Sequence, residues 1–140
     1  MTATVSAARN PVGLAASNRF TPMEAEFDIR VTELTEAQLD AQPFGVIRLA
    51  RDGTVLSYNL YEEKIARMRR EDVVGKNFFS DVAPCTRVKE FFGRFIDGVE
   101  QREMNVTFGF LFAFKHQHRN VDVSLYYKKS DDSIWVIVRG

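Results

Sequence analysis

Apolar and polar positions follow three different rhythms along the chain. Two apolar-rich stretches, FGVIRLA and TVLSYN, flank Arg51-Asp52-Gly53. An Asp-Gly pair between such runs supplies the backbone freedom of a tight hairpin, so these stretches are predicted to be the first two strands. Ahead of them, Thr35 and Gln38 have the spacing of a capping box, which predicts a short helical turn over TEAQLD. Residues 59–76 are polar and charged with scattered apolar positions, a pattern of short helices and turns, with Gly75 ending one of them. From Val88 to Glu103 the apolar positions are Val88, Phe91, Phe92, Phe95, Ile96 and Val99. Their three- and four-residue spacing predicts an amphipathic helix lying on a core.

The last third changes to a period of two. Phe108, Phe110, Phe112 and Phe114 alternate with Gly109, Leu111 and Ala113, and VDVSLYYK and SIWVIVRG follow on either side of a polar SDD turn. Three antiparallel strands are expected here. The predicted class is α+β, an antiparallel sheet of about five strands flanked by short helices and one longer helix.

At 140 residues, 45% of them hydrophobic and 12 of them Phe, the chain can bury an aromatic-rich core. Residues 1–26 read as a flexible or loosely docked leader, rich in Ala, Ser and Thr and without acids before Glu24, and residues 27–140 as one domain. Lys plus Arg number 19, as do Asp plus Glu, which removes any bulk attraction to nucleic acid or anionic membrane. No apolar run approaches the ~20 residues of a membrane span. A single cysteine excludes an intramolecular disulfide and fits a reducing cytoplasm.

That cysteine, Cys85, lies in FFSDVAPCT, behind Pro84, which restricts Ala83 and helps fix the loop. It reads either as a buried inert thiol or as a nucleophile that holds an acyl group as a thioester. Tyr58 and Glu62, four apart, are either a surface pair or two O–H donors converging on a buried anion. A carboxyl in the second setting is protonated, because burial and like charge both raise its pKa. His116 and His118 show no metal spacing and read as polar residues of a strand or turn. RMRRED reads as a solvated charge run.

The stretch YNLYEEKIARMRREDVVGKNFFSDVAPCT, residues 58–86, resembles the photoactive yellow proteins, blue-light receptors with the PAS fold. GKNFF and DVAPC match the family signature, Tyr58, Glu62 and Cys85 stand at the family spacing, and the likeness runs from QLDAQPFGVIRL through SIWVIV. The resemblance implies 4-hydroxycinnamic acid (p-coumaric acid) bound to Cys85 as a thioester, with its phenolate hydrogen-bonded by Tyr58 and Glu62. Ile47, Ala66, Met68, Phe78, Val82, Thr86, Phe112 and His116 would line the pocket. Blue light would isomerise the double bond, Glu62 would protonate the phenolate, and the protein would partly unfold, the N-terminal segment opening first. It implies a sensor rather than an enzyme, monomeric or weakly dimeric, that signals to a downstream protein and involves no nucleic acid or membrane.

Three positions depart from the family pattern. Met68 stands where an Arg usually covers the pocket, with Arg67 and Arg69 flanking it as substitutes. Ala66 replaces a Thr that supports the phenol-binding tyrosine, and His116 replaces a Met that assists thermal return. Altered colour or recovery is expected, with pH dependence from His116. Two rival readings are a PAS module that binds another ligand or a partner without photochemistry, and a cysteine hydrolase pairing Cys85 with His116 or His118.

Overall fold

The computed structural model describes residues 29–114 and 117–140. The expected leader and His116 lie outside the described residues. Five strands, β1 (Gly45–Leu49), β2 (Val55–Tyr58), β3 (Asn105–Phe114), β4 (Gln117–Lys128) and β5 (Ser133–Arg139), form one antiparallel sheet in the order β2-β1-β5-β4-β3. The helical elements between β2 and β3 are α2 (Leu60–Ala66), α3 (Arg70–Val73), a π-type turn at Phe78–Val82, a 3-10 turn at Pro84–Thr86, a second π-type turn at Lys89–Gly93, and α4 (Arg94–Gln101). A 3-10 turn, Ile29–Glu33, and α1 (Glu36–Asp40) precede β1.

The capping box forms as expected: the Gln38 backbone N–H donates to Thr35 Oγ1 at 3.2 Å, and the Thr35 N–H to Gln38 Oε1 at 2.9 Å. The β1–β2 hairpin turns at Gly53, whose φ of 91° suits glycine, while Asp52 Oδ1 accepts the Thr54 N–H. The hairpin and the β3–β4–β5 meander join through pairing of β1 with β5. That places β5 at the centre, and its two faces feed two cores. Ile134, Val136 and Val138 pack with the aromatic cluster, whereas Trp135 and Ile137 meet Val31, Leu39 and Val46.

The longer helix is shorter than its periodicity suggested. The Val88 carbonyl accepts the N–H groups of Phe91, Phe92 and Gly93, opening a wide turn before α4 begins. The added residue per turn rotates the apolar positions: Phe91 and Phe95 are buried, but Val88 and Ile96 are exposed. Phe91 meets Phe108 and Phe110 edge-on, at centroid distances of 5.5 and 5.3 Å. The even-numbered face of β3 therefore closes over the helical segment.

Candidate functional site

The site starts from Asn59, the residue between β2 and α2. Its Oδ1 caps α2 by accepting the Glu62 N–H at 3.2 Å and also accepts the Val46 N–H at 2.9 Å. Its Nδ2 donates to the carbonyls of Leu39 and Phe44 at 2.8 and 3.0 Å. One buried amide thus fixes the start of α2 against β1 and α1, and Glu62 falls in the first turn with its side chain inside the protein. The carboxyl packs against Gly45 so closely that a Cβ there would stand 2.1 Å from Glu62 Oε1.

Glu62 is 2% exposed. Its Oε2 accepts from the Arg119 guanidinium at 3.2 Å, and its Oε1 is buried with no hydrogen-bond partner among the described residues. Burial raises the Glu62 pKa, and this outweighs the opposing charge and hydrogen bond of Arg119. Tyr58, at the end of β2 and opposite Ile47, is buried as well. Burial, reinforced by the Glu62 charge and partly offset by Arg119, lifts its pKa and keeps its hydroxyl protonated at neutral pH.

Arg119 lies across the β3–β4 ladder from Phe112, and its guanidinium sits 5.9 Å from the Phe112 ring centroid. Its side chain is 11% exposed. Sequence reasoning missed this residue, although a signal was present. The inward series Val121, Val123, Leu125 and Tyr127, extended backward by two, lands on Arg119. A cation at a core-facing position needs a buried anion, and Glu62 supplies it. The flanking candidates do not reach inward: Arg67 is exposed, and Arg69 pairs with Asp72 at 3.1 Å on the surface.

The Cys85 side of the site is assembled by the turns after Gly75. Asn77 caps the Phe78–Val82 turn through the N–H groups of Phe79 and Ser80. Thr86, fully buried, donates its hydroxyl to the Ala83 carbonyl at 2.6 Å, which closes the Pro84–Thr86 turn. Thr86 thus has a turn-stabilising contact. Cys85 is partly buried, and its Sγ accepts the Ala113 N–H at 3.4 Å, beside Phe112. Ile47, Tyr58, Phe78, Val82 and Phe112 share one core cluster, against which Met68 and Cys85 pack. Ala66 is fully buried at the end of α2. His118 is exposed on β4.

Tyr58 belongs to one aromatic core and Cys85 packs against it, while Arg119 bridges the buried Glu62 carboxyl to the Phe112 ring of that core. The PAS fold model matches residues 33–139. The photoactive yellow protein of Rhodothalassium salexigens is 38% identical over 109 residues, covering 78% of this chain and 87% of that protein. The chain belongs to the photoactive yellow protein family. The photoactive yellow protein of Cereibacter sphaeroides is 41% identical over 99 residues, covering 69% of this chain and 78% of its own length. Among solved structures, the photoactive yellow protein domain of the sensor histidine kinase Ppr from Rhodospirillum centenum superposes with a TM-score of 0.75 at 34% identity, covering 79% of this chain and 96% of that one. The PAS domain of a protein from Haloarcula marismortui matches at 17% identity and a TM-score of 0.59, a likeness of fold alone. Within this photoactive yellow protein framework, the chain is a PAS-type photoreceptor, and no helix among the described residues is long and apolar enough to cross a membrane.

Proposed function

We propose that the chain is a blue-light receptor carrying p-coumaric acid as a thioester on Cys85. The observation that carries this reading is Glu62: an almost wholly buried carboxyl whose Oε1 has no hydrogen-bond partner among the described residues, tied through Arg119 to the Phe112 ring of the core against which the only cysteine packs. An orphaned buried oxygen is costly, and a phenol oxygen arriving beside it removes the deficit. The residue types present suit an aromatic acid: apolar side chains would contact its ring, the Cys85 thiol would hold its carboxyl carbon, and Tyr58 and Glu62 would supply O–H groups for its phenol oxygen. When bound, p-coumaric acid supplies visible absorption and a double bond that light isomerises from trans to cis.

The chain's own residues do the rest. Cys85 displaces the activating group from an activated p-coumaroyl donor, forming the S–C bond, and the thiol proton leaves with the displaced group. Tyr58 and protonated Glu62 donate hydrogen bonds to the phenol oxygen and replace its lost hydration. Glu62 then gives up its proton to that oxygen after illumination. The newly ionised carboxylate, compensated by Arg119 on Oε2 only, costs part of the several kcal/mol of an unpaired buried charge, against a domain stability of ~5–15 kcal/mol, so the weakest packing loosens and presents a changed surface to a downstream signalling protein. Met68, Ala66 and His116 retune colour and recovery within this chemistry. A recovery profile that stays identical across neutral pH in wild type and His116→Ala would remove the contribution assigned to His116.

Reconstitution with activated p-coumaric acid tests the reading directly. The expected result is a visible band bleached by blue light and one p-coumaroyl mass increment, both absent in Cys85→Ser. No added mass on Cys85 and no visible band would overturn it.

A further inference from the structure

We infer, building on the function proposed above, that Arg119 is the counter-cation of the pocket. Its guanidinium compensates the one negative charge shared by Glu62 and the ligand's phenol oxygen, whichever of the two holds the proton. The geometry has three parts. Arg119 donates to Glu62 through Oε2, at 3.2 Å, while Oε1 packs against Gly45 and has no hydrogen-bond partner among the described residues. The guanidinium also lies by the Phe112 ring, on the aromatic wall of the same core. Its burial beside Glu62 makes it a strong partner for any charge that develops there.

Among the described residues, the other groups around Glu62 do not duplicate this role. From β2 comes Tyr58, an acid too weak to ionise at neutral pH. From its own helix comes Glu63, whose carboxylate is engaged by the Arg70 backbone N–H at 2.7 Å and faces the Arg70 guanidinium at 3.8 Å. β1 approaches with the backbone of Gly45, and Cys85 lies on the Phe112 side of the cluster. Arg48 and Arg70 are committed to Asp131 and Asp40, each at 3.0 Å. Among the described residues, Arg119 is therefore the cation paired with Glu62. Met68, past the end of α2, carries no cation; the cation comes from β4 instead and meets the carboxyl.

Two consequences follow. Protonating the pair, so that neither oxygen is charged, takes a lower pH than it would without Arg119. Proton transfer from Glu62 also leaves its carboxylate beside a guanidinium, so the light-driven loosening is smaller than an unpaired charge would cause.

The test begins in the protein without ligand, so that failure of reconstitution does not affect it. The infrared carbonyl band of protonated Glu62, identified by its loss in Glu62→Gln, is followed against pH. In Arg119→Gln and Arg119→Met the band is expected to appear at a pH higher by about one unit or more, a roughly tenfold change in proton affinity. Arg119→Lys, which keeps the charge, is expected to restore most of the wild-type midpoint; a merely structural role would not sort the variants by charge. An unchanged midpoint in the charge-removing variants overturns the inference. The guanidinium NMR signal of Arg119 in the unmutated protein tests the same pairing without substitution: it should shift as Glu62 titrates, and indifference overturns the inference. In reconstituted protein the visible band should bleach at higher pH in Arg119→Gln than in wild type. Coincident midpoints there overturn the shared-charge role, whereas lack of chromophore attachment counts against the receptor reading alone.

Discussion

Glu62 is held differently at its two oxygens: a guanidinium bonds Oε2, while Oε1 packs against Gly45 with no hydrogen-bond partner among the described residues. Its position is enforced sterically from below. Gly45 has no Cβ, and one placed there would stand 2.1 Å from Oε1, 3.1 Å from Cδ and 3.3 Å from the Glu62 Cβ. The crowding reaches the base of the side chain as well as its tip, so a rotation of the carboxyl alone does not relieve it. Gly45→Ala is therefore expected to destabilise the fold by about 1–3 kcal/mol and to displace the carboxyl. Thermal melting reads the first effect, and the pH midpoint of the Glu62 infrared band reads the second. Wild-type values in both measurements would show that Gly45 does not set the position of Glu62.

Asn59 does at the scale of an element what Gly45 does for one side chain. It joins β1, α1 and α2 through four hydrogen bonds from a single buried amide. Asn59→Ala leaves the buried Val46 N–H without this acceptor, at about 1–3 kcal/mol, and removes the cap on the Glu62 N–H and the donor to the Phe44 carbonyl, while the Leu39 carbonyl keeps the Gln42 N–H at 3.2 Å. The expected loss is about 3 kcal/mol or more, read as the shift of the denaturant midpoint at unchanged slope. A loss below about 1 kcal/mol would show that water or a local rearrangement replaces the amide. The caps and turns around this hub were readable along the chain because they rest on neighbouring residues: Thr35 with Gln38, and Asp52 with Gly53. The segment after Val88 was not. Its spacing fits an α-helix, yet the wide turn at Lys89–Gly93 lets Phe91 and Phe95 reach the core while Val88 faces solvent. Contact with the Phe108 and Phe110 rings, which lie in another element, selects that geometry.

For the whole molecule, the buried carboxyl imposes a pH dependence on folding. The Glu62 pKa is raised in the folded state above the ordinary value of about 4.3. The folded protein then binds more protons than the unfolded chain in the interval between the two values. This contribution is fully present below the unfolded value and is lost as pH rises through the folded one. The stability of the ligand-free protein should fall across that interval with a slope of at most about 1.4 kcal/mol per pH unit, and Glu62→Gln should flatten it. Equal slopes in the two proteins, from denaturant titrations at several pH values, would assign the dependence elsewhere. Asp52 acts in the opposite sense: the Thr54 backbone N–H lowers its pKa, so its contribution is present above the unfolded value and is lost as pH falls through the folded one.

Periodicity along the chain was enough to specify five strands and their antiparallel sense, because alternation and turn chemistry act between near neighbours. Tyr58, Glu62 and Cys85 were joined in the sequence only through the family resemblance; taken singly, their residue types left an inert thiol and a surface pair open. Strand order could not be read in this way. Pairing of β1 with β5 is a contact between distant parts of the chain, and it places β5 between two cores. The partner of Glu62 was undecided for the same reason. Arg119 follows it by 57 residues, and only closure of the β3–β4 hairpin over α2 brings the guanidinium to the carboxyl. A local pattern can mark Arg119 as facing inward, but which anion meets it depends on how the sheet and helices pack.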